Sequence, residues 1–242
     1  MSEIPLFLSR MQPLYDERQI KKLMNAHVLV AGLGGVGGYA AEALARAGIG
    51  TLTLIDGDKV EVTNINRQLI ALHSTLGHSK TELMRRRILD INPQARVEII
   101  DRFAEPDDWA EIFTEKFDYV LDAIDSLTPK VYLIVEAIKH HIPLISVMGT
   151  GGKTKPSKIR ISDIANTRDD FFARMVRKRL KKHGIRRGFK AVFSTELQNK
   201  SALIYTDNTE YKKSAYGTVS YMPAIFGLYA AAEIINGIVK DE

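Results

Sequence analysis

One stretch, His27 to Gln68, constrains this chain more than any other. It opens on an apolar run, His27-Val-Leu-Val-Ala31, with the β-branched content expected of a strand buried on both faces of a parallel sheet. Gly32-Leu-Gly34-Gly35-Val-Gly37-Gly38 follows, and then Tyr39 to Ala47, rich in good helix formers. A second apolar run, Thr51-Leu-Thr-Leu-Ile55, ends at Asp56. Strand, glycine turn, helix, strand and acid in that order is the Rossmann layout. Gly32 permits the tight turn, Gly34 lets the backbone approach a phosphate, and Gly37 allows close packing of helix on strand. The helix N-terminus adds free N–H groups and a partial positive charge. Asp56, 24 positions after Gly32, is placed to accept hydrogen bonds from ribose hydroxyls. The plainer alternative is a tight turn that binds nothing.

The usual ligand of such a turn is NAD, but the residues after Asp56 point to a triphosphate. They run Asp56-Gly-Asp58-Lys-Val-Glu-Val-Thr63-Asn64-Ile-Asn66-Arg67-Gln68, with Lys80 a short gap later. A dinucleotide's pyrophosphate is served largely by the glycine turn, whereas a triphosphate also needs cations. Arg67 and Lys80 supply them if this loop folds back over the strand ends.

The pattern Gly-x-Gly-Gly-x-Gly, Asp-x-Asp, Asn-x-Asn-Arg-Gln and the following Lys resembles the adenylating domain of ubiquitin-activating enzymes. The same domain serves the bacterial activators of thiamine and molybdopterin sulfur carriers. The resemblance is strongest over residues 27–148 and implies ATP with Mg²⁺ as cofactors. By position it implies nucleotide contacts from Gly32, Gly34, Gly35, Gly37, Asp56, Asp58, Asn64, Arg67, Gln68, Lys80, Asp125 and Ser126. Arg67, Lys80 and Asp125 are its expected catalytic residues.

Composition narrows the chemistry further. The 242 residues contain no cysteine, which excludes disulfides, zinc–thiolate sites and thiolate catalysis and departs from many members of that superfamily. The six histidines show no ligand spacing. The start, Met1-Ser-Glu-Ile-Pro5, lacks a basic and an apolar signal region, so a cytoplasmic location is expected. Residues 151–200 hold 15 Lys and Arg against 4 Asp and Glu, leaving 19 basic and 25 acidic residues elsewhere. A basic segment in an otherwise acidic chain suits a polyanion, or is a solvated face.

Along the chain, Arg18 to Met24 reads as a helix within a leader. By the resemblance, an arginine in this leader reaches across a homodimer to the partner's ATP; Arg10 fits that spacing better than Arg18. Ser79-Lys-Thr-Glu82 reads as a capping box opening a helix to Asn92. Val97–Ile100 and Phe117–Leu121 read as strands, with a short helix from Asp107 to Glu115 in which Trp109 packs. Asp125 then lies just past a strand's C-terminal end, where open α/β sheets bind ligands. The resemblance makes it the Mg²⁺ ligand; an N-cap role for a helix over Pro129–His140 is the bland alternative. Pro143–Val147 reads as a further strand.

After Gly149 a flexible turn leads to a short strand, Lys158–Ile161, and an amphipathic helix, Asp169–His183, with Phe172, Met175, Val176 and Leu180 on its apolar side. Between 174 and 190 there are nine Lys and Arg and no acid, among them Arg174, Arg177, Lys178, Lys181, Lys182, Arg186 and Arg187. Lys190–Ser194 and Ala202–Tyr205 read as strands. Tyr221–Val239 is nearly long enough to span a membrane but contains Pro223, Glu233 and Asn236, so a core helix with Ile225, Leu228, Ala232 and Ile235 inward is expected, with no stable membrane insertion. The expected fold is α/β, a Rossmann-like doubly wound, mostly parallel sheet with a C-terminal antiparallel extension. One adenylating domain spans 1–242, with a nucleotide core at 27–148 and the basic insert, extra strands and last helix at 149–242.

Within the superfamily the chain looks most like the tRNA threonylcarbamoyladenosine dehydratase branch. Ala43-Leu-Ala-Arg-Ala-Gly48-Ile-Gly50, Ala123-Ile-Asp-Ser126 and Val192-Phe-Ser-Thr-Glu196 carry that likeness. It implies activation of a threonyl carboxylate on tRNA, with the basic segment as tRNA contact and no need for a cysteine. Two alternatives stay open: an activator of a ubiquitin-like sulfur carrier, with a sulfur-transfer protein as candidate partner, and an NAD-binding oxidoreductase or inactive nucleotide-binding module.

Overall fold

The computed structural model describes residues 4–205 and 214–240, so the start from which no signal region was read lies partly outside the described residues. After a short 3₁₀ helix at Leu6–Met11, α1 (Glu17–Asn25) leads into β1 (His27–Ala31), α2 (Gly37–Arg46) and β2 (Thr51–Ile55). Next come α3 (Lys80–Ile91), β3 (Arg96–Ile100), α4 (Asp108–Ile112), β4 (Tyr119–Asp122), α5 (Leu127–Lys139) and β5 (Leu144–Val147). The chain closes with β6 (Ile159–Asp163), α6 (Phe171–Leu180), β7 (Lys190–Ser194), β8 (Leu203–Tyr205), β9 (Ser214–Tyr216) and α7 (Tyr221–Val239).

Seven strands form one sheet in the order β3-β2-β1-β4-β5-β7-β6, parallel except for β6, which runs antiparallel to β7. β8 and β9 form a separate antiparallel pair. The sheet's strands are apolar because both faces are covered. Val28 and Val30 point into a core shared with α2, α3 and α7, while Leu29 and Ala31 point into a second core shared with α4, α5 and α6. Each of the fully buried Val and Leu side chains stabilises the fold by about 1.5–3 kcal/mol relative to exposure. Trp109 lies in the second core near Phe113, consistent with its reading as a packing residue.

Register then places the site. Ala31 pairs with Ile55 on one side and with Asp122 on the other. Gly32, Asp56 and Ala123 therefore leave the sheet side by side. Chain order reverses between β1 and β4, and the crevice at such a switch point is where open α/β sheets bind ligands.

Two local readings differ from the structure. Ser79 caps α3 by accepting a bond from the Glu82 amide at 3.3 Å, but Glu82 does not bond back; it lies near Arg85 at 3.6 Å, and the Ser79 hydroxyl donates to Asp101. In α7 the buried side is Met222, Phe226, Ala230 and Ile234, whereas Leu228 is 48% exposed and Ala232 is exposed too. This helix carries apolar residues on nearly every side, so periodicity alone did not select its inner face. Its packing on α2 does: a Cβ on Gly227 would sit 2.3 Å from the Val36 carbonyl oxygen. Although long and apolar enough to cross a membrane by composition, α7 buries much of itself in the first core.

Candidate functional site

The glycine turn has the form its sequence demands. Gly32 holds φ at +89°, and a Cβ there would come 2.8 Å from the Ala123 carbonyl oxygen. A Cβ on Gly37 would come 1.7 Å from the Gly32 oxygen, so no other residue fits where α2 starts. Gly34 is different: a Cβ there would meet only the Gln68 amide nitrogen, at 3.7 Å, which leaves an open face for a phosphate. α2 begins without a side-chain cap, in keeping with an anion at its N-terminus.

The residues after β2 close over this turn. Asp56 is buried, and its two carboxylate oxygens accept bonds from the backbone amides of Leu33 at 2.7 Å and Asp58 at 2.8 Å. It thereby braces the glycine turn, and each oxygen keeps a further lone pair for a ribose hydroxyl. Burial pushes its carboxyl upward, opposed chiefly by the nearby charge of Lys80. Lys80 itself is nearly buried and its ammonium donates to Asp58 at 2.6 Å. The second acid of Asp-x-Asp thus holds the lysine beside the strand ends.

Arg67 stands over the turn. Its Cγ lies 3.4 Å from the place a Cβ on Gly35 would take, and its guanidinium donates to the Thr63 carbonyl at 2.8 Å and to Asn66 Oδ1 at 2.9 Å. Asn64 is buried and shapes the loop by accepting from the Glu61 amide at 3.2 Å. Gln68 is buried beside Gly34, and its Oε1 has no partner among the described residues. A buried amide oxygen without a partner beside an open glycine turn is a polar group that a bound nucleotide could satisfy.

Asp125 is exposed just past β4 and accepts a bond from the Ser126 hydroxyl at 3.4 Å. The N-cap position of α5 falls to Ser126, whose hydroxyl makes no capping bond. Among the described residues no cluster of three metal-binding side chains exists. A lone carboxylate still suits Mg²⁺, which usually takes one or two carboxylates together with substrate phosphates and waters. Arg10 is exposed on the 3₁₀ helix whose Leu8 packs against Gly48, just before β2 begins. The glycine turn is at the other end of the strands, about 16 Å away for a five-residue strand. Arg10 is therefore not brought to its own chain's turn.

Sequence reasoning missed a buried pair behind the site. Asp122 and Lys130 are wholly inaccessible; the ammonium donates to Asp122 at 2.6 Å, to Ser146 Oγ at 3.2 Å and to the Val147 carbonyl at 3.0 Å. Asp122 also accepts from Ser146 Oγ at 2.5 Å and from the Ile124 amide at 3.1 Å. Burial pushes the acid up and the lysine down, and each partner's charge opposes the other's shift. The network holds the loop that carries Asp125. Its one sequence signal was a lysine inside the apolar helix Leu127–Lys139.

The basic segment is only partly free. α6 buries Ala173, Val176 and Leu180 and is capped by Asp170, which accepts from the Ala173 amide at 2.9 Å. Phe172 and Met175, read as part of the apolar stripe, are half-buried. The buried Lys153 bonds to Asp170 and donates to the Gly149 carbonyl at 2.8 Å, tying the helix start to the turn after β5. Arg177 is half-buried and its guanidinium holds Thr167. Lys190 pairs with Glu233. Arg174 lies over the Phe171 ring at 5.0 Å, while Lys178, Arg179, Lys181, Lys182, Arg186 and Arg187 are exposed.

Comparison with known proteins extends this geometry. The ThiF family profile matches residues 8–242. The chain is 38% identical over 240 residues to the tRNA threonylcarbamoyladenosine dehydratase of Bacillus subtilis, covering 96% of this chain and 94% of that one. It is 41% identical to the enzyme of the same name from Escherichia coli, over 92% of this chain and 90% of that one. The crystal structure of the E. coli tRNA N6-threonylcarbamoyladenosine dehydratase in complex with ATP superposes with a TM-score of 0.87 at 38% identity, covering 96% and 93% of the two chains.

Proposed function

The chain belongs to the ThiF family, and from that premise we propose that it is an ATP-dependent enzyme that dehydrates threonylcarbamoyladenosine in tRNA. The observation that carries this reading is likeness to dehydratases along nearly the whole chain, through the nucleotide core and the basic segment alike. The same geometry suits ATP: an open glycine cradle with Arg67 above it and Lys80 beside it.

In the first step an oxygen of the threonyl carboxylate attacks the α-phosphorus of ATP, and pyrophosphate leaves with the negative charge. Arg67 and Lys80 stabilise that charge as it moves; Lys80 exchanges its bond to Asp58 for phosphate oxygens. Asp125 would hold Mg²⁺, which when bound would supply further charge neutralisation. The carbamoyl group of the same side chain then attacks the activated carbonyl, a proton is lost, and AMP departs. The net change is loss of water. Because the nucleophile belongs to the substrate, a chain without cysteine suffices. Asp56 holds the adenosine ribose, the exposed basic residues from Arg174 to Arg187 hold tRNA phosphates, and Arg10 serves the partner's site in a homodimer.

Pyrophosphate release from ATP tests this reading. It should require tRNA carrying threonylcarbamoyladenosine, with little release for tRNA bearing plain adenosine or for sulfur-carrier proteins. ATP with Mg²⁺ should raise the thermal midpoint and NAD should not, because a ligand that binds only the folded state stabilises it. Release driven by a carrier protein instead of tRNA would overturn the dehydratase reading.

A further inference from the structure

A cavity of about 610 Å³ is lined by Asn66 and by no residue of the glycine turn itself. One wall is Asn66, the neighbour of Arg67; its amide donates to the Thr218 carbonyl at 2.9 Å, and Ser220 continues that wall to the start of α7. The facing wall is the turn at Lys153 and Thr154, closed by Glu196. Glu196 accepts bonds from the Thr154 amide at 3.0 Å, the Lys155 amide at 2.8 Å and the Thr154 hydroxyl at 3.2 Å. The Tyr221 hydroxyl secures the same turn by donating to the Thr154 carbonyl at 3.0 Å.

We infer that this cavity receives the threonylcarbamoyl side chain of the tRNA, positioned by Glu196 and Asn66. The inference rests on the dehydratase reading and gives it a place. First, the volume falls within the ~300–1,000 Å³ of small-molecule sites. Second, its lining sets the polar side chains of Asn66, Glu196, Asn199 and Ser220 among a larger apolar surface, which suits a carbon chain that carries a urea, a hydroxyl and a carboxylate. Third, its position is between two machines. Asn66 joins it to the arginine over the glycine turn, and Lys153 joins it to Asp170 at the head of the basic helix. A substrate held by its phosphates on α6, with its carboxylate at ATP, has its side chain in this space. Glu196 belongs to Val192-Phe-Ser-Thr-Glu196, a stretch to which the nucleotide site assigns no task.

Ala202 also lines the cavity, to which neither the glycine turn nor α6 contributes a wall, so Ala202→Phe fills the space from a side that carries neither. The variant should keep ATP protection and its affinity for tRNA bearing plain adenosine. It should lose the preference for threonylcarbamoyl tRNA, with kcat/KM for pyrophosphate release down ~100-fold, the scale of a misplaced reacting group. Should Ala202→Phe fail to fold, Glu196→Gln, which keeps a carbonyl acceptor for the turn, should still lower kcat/KM about tenfold, as for a lost charged hydrogen bond. Unchanged preference and turnover in the folded variant overturn the assignment of the cavity. So does a wild-type response to a carrier-protein tail that Ala202→Phe abolishes, since the occupant would then be a peptide. Wild-type protein that responds to neither tRNA overturns the dehydratase reading and, with it, the cavity's ligand; an active wild type with an equally active Ala202→Phe overturns the cavity alone.

Discussion

Reversing Lys178, Lys181 and Lys182 to glutamate measures whether the basic segment meets tRNA phosphates, and the structure sets the size of the effect. Of the nine positive residues between 174 and 190, Arg177 is engaged with Thr167, Lys190 with Glu233, and Arg174 lies over Phe171. Six exposed cations remain: Lys178, Arg179, Lys181, Lys182, Arg186 and Arg187. If each neutralises one phosphate, log K falls against log salt with a slope of about −4 to −5, and with three removed the slope is about −2 to −3. Between about 50 and 200 mM salt the native protein then loses roughly 10³-fold in affinity and the variant roughly 30-fold. Arg177 is left alone because its removal breaks the anchor to Thr167 and confuses folding with binding. Fluorescence anisotropy with labelled tRNA at several salt concentrations reads the slope, and ATP protection against heat should be unaltered. Equal affinity and slope in the triple variant would leave α6 as a solvated face and remove it from the tRNA site.

The buried pair behind Asp125 gives a second test. Lys130→Met strands Asp122 without a counter-charge, which should cost about 3–5 kcal/mol by denaturant titration, and adding Asp122→Leu should restore much of it. A loss under about 1 kcal/mol in the single variant would mean that the pair does not hold this loop. Assembly gives a third. Arg10→Ala and Asp125→Ala should each be inactive, and mixing them should regenerate sites with both residues intact. Full activity of a monomer in dilute solution would rule out Arg10 acting on a partner.

The nucleotide half of the chain was legible in sequence because its rules are short-ranged. An apolar strand, a turn that only glycine can make and an acid at the next strand's end each follow from neighbours within a few residues. β1, β2 and β7 run over the residues expected, and α7 covers Tyr221–Val239 as read. The bonds of the predicted residues depended on tertiary structure. Asp58 met Lys80 only because the loop after β2 folds back on α3, and Arg177 met Thr167 through packing around α6. The Asp122–Lys130–Ser146 network draws on β4, α5 and β5, so no local pattern could announce it. The inner face of α7 was decided by the close approach of its Gly227 to the start of α2, since a helix with apolar residues on nearly every side has little preference of its own. The cavity shows the same limit: its walls come from positions 66, 153–154, 196 and 217–220, which only the folded chain brings within reach of one side chain. Periodicity and steric rules act along the chain and fix elements; charge partners and cavities form between elements, where strand register and packing decide what meets.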